Sequence, residues 1–197
     1  MVAIAPPDGV RFGPTTIVTT VGNLLDQPVE AVILAANRRG GIATAASAAL
    51  RSLGAADLER QAMARAPLDL GTAIASPAIG LETLGIRVVV HAVVHPALGE
   101  AARLDDVRRA TAESFVALGP HKVRSLALPL LGAETGVAES LDPDQVTATI
   151  VDEVVGCLRR GLLHPDHIIL LARSADEAEM IASVVAASRR HAWIPVP

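Results

Sequence analysis

The sequence predicts an α/β fold, a three-layer α/β/α sandwich built around a mixed, largely parallel central sheet. Three observations carry this expectation. Short apolar, strand-like runs alternate along the chain with segments of helical apolar spacing, the rhythm of strands joined by helical crossovers. The composition is 51% hydrophobic but only 2% aromatic, and its small branched side chains suit strands buried on both faces. Two of the apolar runs, 32–36 and 125–131, end in glycine-containing turns, as strands do where an open α/β sheet meets its ligand crevice.

The β-branched run at 15–20 is the first expected strand, and 29–36 is the second. Helical spacing over 42–53 and 56–66, interrupted at Gly54, gives two helices. Runs at 72–76 and 87–94, separated by a turn region holding Gly80 and Gly85, read as an antiparallel strand pair and make the sheet mixed. A helix over 104–118 places Leu104, Val107, Thr111, Phe115 and Leu118 on one side. A strand over 125–130 leads to a helix over 143–160, entered through Asp142 as N-cap with Pro143 in the first turn. The last strand covers 167–172 and the last helix 175–189, with Ser174 as cap and Glu177 three residues on. This order implies right-handed parallel crossovers in the carboxyl half. Neither a repeat nor a linker divides the chain, so 1–197 is expected to form one domain.

Composition excludes several classes of function. A formal net charge of −4 offers no general attraction for nucleic acid. No apolar stretch reaches the ~18 residues of a membrane span, and residues 1–7 lack the features of a signal peptide, so a cytoplasmic location is expected. Cys157 is the only cysteine; it sits within a helical apolar pattern and reads as a packed core thiol. The histidines lack helix-spaced companions, so no metal site is expected. His91, mid-strand among valines, reads as a core histidine with a satisfied ring nitrogen. The apolar tail 193–197 is expected to pack on its own domain.

Two segments concentrate the candidate chemistry. Val32-Ile33-Leu34-Ala35-Ala36-Asn37-Arg38-Arg39-Gly40-Gly41-Ile42-Ala43 reads as buried strand, glycine turn and helix start, a unit whose amides and helix dipole suit phosphate. Ser125-Leu126-Ala127-Leu128-Pro129-Leu130-Leu131-Gly132-Ala133-Glu134-Thr135-Gly136-Val137 is a second strand running into a loop with two glycines. These motifs, with Gly22-Asn23-Leu24 upstream and the strand Val88-Val89-Val90-His91-Ala92-Val93 between them, resemble the macrodomain family of ADP-ribose-binding proteins. The resemblance extends over about residues 16–187.

The resemblance implies a set of contacts. Asn23 and Leu24 would stand by the adenine. Ala36 and Asn37 would lie beside the distal ribose, with Gly40 and Gly41 placing amides along the ribose and diphosphate and Ile42 and Ala43 closing the near side of the ligand. Amides of Leu131, Gly132, Ala133, Glu134, Thr135, Gly136 and Val137 would hold the diphosphate. Arg173 occupies the region where relatives place an aromatic against the base. The residues themselves leave other readings open: Asn37 tying down its own turn, a plain tight turn at Gly40-Gly41, and a solvated arginine at a strand end.

The chain also departs from the family pattern. Asn23 replaces an aspartate, and Ala133-Glu134-Thr135 separates glycines that usually alternate more closely. The first loop is short, carries Arg38 and Arg39, and lacks the aspartate that orients water in hydrolytic members. The resulting expectation is a binder of ADP-ribose or a related nucleotide, acting as a reader, with ADP-ribose or an ADP-ribosylated macromolecule as partner and no cofactor. The alternatives are a hydrolase with atypical catalytic residues, or a protein-interaction module with an eroded pocket. The oligomeric state is left open.

Overall fold

The structure, a computed structural model, describes residues 9–42, 44–53, 55–133 and 141–192. Its strands are β1 (Val10–Phe12), β2 (Thr15–Val21), β3 (Ala31–Asn37), β4 (Ala73–Pro77), β5 (Val88–His95), β6 (Ser125–Pro129) and β7 (His167–Ala172). They form one sheet in the order β1-β2-β7-β6-β3-β5-β4. The inner strands run parallel, while β1 on β2 and β4 on β5 are antiparallel at the two edges. The mixed, largely parallel sheet and the β4–β5 pair are as the sequence predicts. Strand β1 lies outside the expected set, because a three-residue strand is too short to display alternation.

The helices are α1 (Thr44–Ser52), α2 (Ala56–Met63), α3 (Leu104–Leu118), α4 (Pro143–Arg159) and α5 (Ala175–Ala192). Helix α2 stops before the expected 66, since Pro67 disfavours helical backbone in the residue preceding it. The expected caps are in place: Asp142 accepts from the Asp144 amide (3.1 Å) and Ser174 from the Glu177 amide (3.2 Å).

Alternation along the strands sorts the core into two layers. Val88, Val90, Ala92 and Val94 of β5 pack with Val107, Ile150 and Ile181 of α3, α4 and α5. Val89, with Val32 and Leu34 of β3, packs against Leu50 and Leu58 of α1 and α2 on the opposite face. Every residue of β3 is buried, and each large aliphatic side chain so placed contributes roughly 1.5–3 kcal/mol.

The central seam is short. Strands β3 and β6 pair only at Ala31 with Leu126 and at Val32 with Ala127. Beyond that point β3 continues against β5 alone and β6 against β7 alone. Pro129, at the end of β6, has no N–H to extend the ladder. The chain leaves β3 through α1 and α2 toward β5, and leaves β6 through α4, on the other face, toward β7. Adjacent strands whose connections depart in opposite directions open a crevice at the carboxyl edge of the sheet.

His91 departs from expectation. It is fully buried, yet neither ring nitrogen has a hydrogen-bond partner among the described residues. Burial, reinforced by the charge of Arg65 and opposed by that of Glu59, lowers its pKa from 6.5 to about 4. The unfolded chain therefore takes up a proton before the folded one as pH falls. Stability from the neutral ring is full above 6.5 and is lost toward about 4, a change on the order of 3 kcal/mol. Replacing His91 by methionine should flatten this part of the stability–pH curve, measured by urea unfolding across that window.

Candidate functional site

A cavity of about 460 Å³ occupies the crevice. Leu34 of β3, Pro129 and Leu130 at the exit of β6, and Leu171 and Ala172 at the end of β7 form its floor. Ala49 and Ser52 from the second half of α1, with Leu53 just beyond it, form one wall, and the turn Gly22 to Asp26 another. Its polar residues are Asn23, Asp26, Ser52, Arg173 and Glu177.

The Gly22 turn is fastened from several directions. The Gly22 amide donates to the Ala172 carbonyl (3.4 Å), and Leu24–Asp26 form one turn of 3-10 helix with Leu25 buried beneath. Gln27 Nε2 donates to the Asn23 carbonyl (2.9 Å), and Asn23 Nδ2 donates to Asp26 Oδ2 (2.9 Å). Asn23 and Leu24 thus line the cavity on a pinned backbone.

The first glycine loop is closed on itself. Asn37 Oδ1 accepts from the amides of Arg39 (2.8 Å) and Gly41 (3.2 Å), and the Asn37 carbonyl accepts from Gly40 (2.8 Å). The Ile42 amide donates to Glu59 Oε1 (3.1 Å), a carboxylate delivered from α2 that also pairs with Arg51 (3.4 Å). Of the readings left open for Asn37, the structure displays the asparagine that ties down its own turn. Ala36 bridges Ile42 across this turn. Gly40 has φ +79° and backs onto α2, where an added Cβ would stand 2.5 Å from the backbone of Ala62 and Met63. Ala36, Asn37, Gly40, Gly41 and Ile42 stand beside the cavity rather than among its lining residues. Glu59 was not signalled by the sequence, because its approach to Ile42 depends on how α2 folds back on α1.

The exit of β6 is fixed by packing and by one arginine. Leu131 and Ala133 are buried, and Gly132 (φ +86°) fits where a Cβ would come within 2.9 Å of Val107. Arg173 Nη1 donates to the Ala133 carbonyl (2.8 Å), while Nε (3.1 and 3.2 Å) and Nη2 (2.5 Å) grip the Glu177 carboxylate. Burial pushes the Glu177 carboxyl up, but hydrogen bonds from the Arg173 side chain and amide, with its charge, hold it below the usual range. Arg173 is thus a half-exposed arginine at a strand end that also ties the β6 exit to its own, and with Ala133 it lines the cavity. Ala43, Glu134, Thr135, Gly136, Val137 and the tail 193–197 lie outside the described residues.

Among the described residues no group of three His, Cys, Asp or Glu is placed to hold a metal ion, and no helix is long and apolar enough to cross a membrane. Cys157 is buried, and its thiol is pushed up to about 12, chiefly by burial.

The Macro domain family model matches residues 33–150. This chain belongs to the macrodomain family. The macrodomain is 28% identical over 168 residues to an uncharacterized protein of Aeropyrum pernix, spanning 84% of this chain and 82% of that protein. It superposes on the Oceanobacillus iheyensis macrodomain with ADP at a TM-score of 0.75 and 12% identity, over 93% of this chain and 97% of the other. The Trypanosoma brucei macrodomain in complex with ADP-ribose gives a TM-score of 0.69 at 20% identity, over 86% and 68%. At these identities the structures speak for a shared fold.

Two outcomes follow for the macrodomain. Gly40→Ala should destabilise it by roughly 1–3 kcal/mol, read from urea midpoints, because both φ and the approach of α2 exclude a side chain. Arg173→Ala should cost roughly 1–2 kcal/mol near neutral pH. Because the Glu177 carboxyl titrates lower in the folded state, its contribution is present above the unfolded pKa and lost as pH falls through the folded one. The difference between wild type and Arg173→Ala should therefore narrow in acid.

Proposed function

We propose that this macrodomain binds ADP-ribose, free or attached to a macromolecule, and acts as a reader rather than a hydrolase. The observation that carries the reading is the cavity at the β3–β6 seam, whose lining includes Asn23, Leu24, Ala133 and Arg173, all implied by the resemblance. Its volume of about 460 Å³ falls within the range of roughly 300–1,000 Å³ usual for small-molecule sites. The family and its solved members with ADP and ADP-ribose support the same reading.

The charges divide the cavity into roles. Its described lining holds the carboxylates of Asp26 and Glu177 against the single guanidinium of Arg173. Side chains there suit a neutral base and ribose better than a dianion. The diphosphate accordingly draws on main-chain donors, the part the resemblance gives to the loop 131–137, of which Glu134, Thr135, Gly136 and Val137 lie outside the described residues. The reader is favoured over the hydrolase because Glu59, a carboxylate brought to the Asn37 turn by α2, is engaged by the Ile42 amide and Arg51.

Calorimetry with ADP-ribose tests the proposal. A dissociation constant in the micromolar range is expected; one weaker than about a millimolar, under ~4 kcal/mol, would favour a protein-interaction module instead. In single-turnover assays an ADP-ribosylated protein should keep its modification. Release that disappears in Asn37→Ala or Glu59→Gln would replace the reader with a hydrolase.

A further inference from the structure

The polar end of the cavity is chemically one-sided. A carboxamide has an acceptor at one corner and a donor at the other, and a half-turn of its terminal torsion exchanges them. A free asparagine at a base-binding site therefore accommodates a ring amine or a ring carbonyl equally well. Asn23 is not free in this sense. Its Nδ2 donates to Asp26 Oδ2 at 2.9 Å, and the reversed amide would press Oδ1 against a group that only accepts.

The backbone beneath the amide is also held. Gln27 Nε2 fixes the Asn23 carbonyl at 2.9 Å, and the 3-10 turn fixes Leu24 to Asp26. The Asn23 oxygen and the Asp26 carboxylate then stand together on the cavity wall as acceptors, with Leu24, Leu53 and Leu171 supplying apolar surface around them. A flat guest seated there must bring a donor to that edge.

Stacking offers no competing source of selectivity among the described residues. The chain has two phenylalanines and no tyrosine. Phe12 and Phe115 are both buried in the core layer of α3, α4 and α5. Among the described residues, selection between bases falls to the edge.

Resting on the reading of this cavity as a nucleotide site, we infer that Asp26 is a positioning residue for base specificity. It holds the Asn23 carboxamide oxygen-outward, so that the cavity accepts a 6-amino purine and disfavours its 6-oxo counterpart. Neither Asn23 nor Asp26 is buried, so substitution leaves the fold intact.

The experiment compares dissociation constants for ADP-ribose and for its hypoxanthine analogue, inosine diphosphate ribose, on the full chain. Wild type should prefer ADP-ribose. In Asp26→Asn the amide at 23 is free to turn, and the preference should fall by about three- to tenfold, the scale of one hydrogen bond. The double variant Asn23→Asp/Asp26→Asn, which exchanges carboxylate and amide, should recover the preference, because position 23 again holds an acceptor oxygen toward the cavity that no half-turn can replace with a donor. An unchanged ratio in Asp26→Asn, or no recovery in the exchanged pair, overturns the role of Asp26 while the nucleotide reading stands. Failure of wild type to bind either nucleotide overturns that reading and this inference with it. Unaltered thermal melting of the variants identifies any lost preference as a recognition effect.

Discussion

The two-pair seam between β3 and β6 is the constraint on which the site depends. Right-handed crossovers send the chain from these neighbours in opposite directions and to opposite faces of the sheet. Helices that follow them cannot meet above the seam, and the strands separate once Val32 and Ala127 have paired. The cavity is opened by this divergence and is not carved from the core, so it coexists with two complete hydrophobic layers. Its apolar floor is simply the last residues of strands whose earlier residues build those layers.

Around the opening, the backbone is held by polar side chains that reach main-chain groups. Asn37 gathers the amides of its own turn, Glu59 takes the Ile42 amide, and Gln27 takes the Asn23 carbonyl. Such bonds supply partners for turn amides and carbonyls that no helix or strand ladder reaches. The glycines of the first loop serve the same end: Gly40 permits α2 to approach, and the turn it completes is fixed before any guest arrives. The two long apolar runs and the short polar ties therefore divide the labour, one setting the edge of the sheet and the other setting the shape of its rim.

Periodicity made most of the architecture readable. The bounds of α3 and β7 coincide with their apolar patterns, and the caps of α4 and α5 stand at Asp142 and Ser174. Strand β1 escaped because its three residues carry no period, and the end of α2 because a proline several residues on decided it. The site was legible in a different way. Glycine and asparagine reveal where a chain can turn, but not which acceptor its amides will find. Asn23, Leu24, Ala133 and Arg173 line the cavity. Asn37, Gly40, Gly41 and Ile42 build the turn beside it, and Leu131 and Gly132 are packed behind it. Glu177 was marked by its place three residues after the Ser174 cap, whereas Glu59 becomes meaningful only when α2 folds back on α1, and so left no local mark on the sequence.

The grip of Arg173 has one more implication. Its planar fork meets Glu177 along one edge and Ala133 with its remaining arm, so a carboxylate of α5 and a carbonyl beyond β6 converge on a single rigid plane. A lysine would carry the same charge but, as a compact point cation, would satisfy these partners only in turn. What joins the halves of the rim is therefore the flatness of the guanidinium rather than its sign, and a charge-preserving exchange would unfasten them as surely as a neutral one.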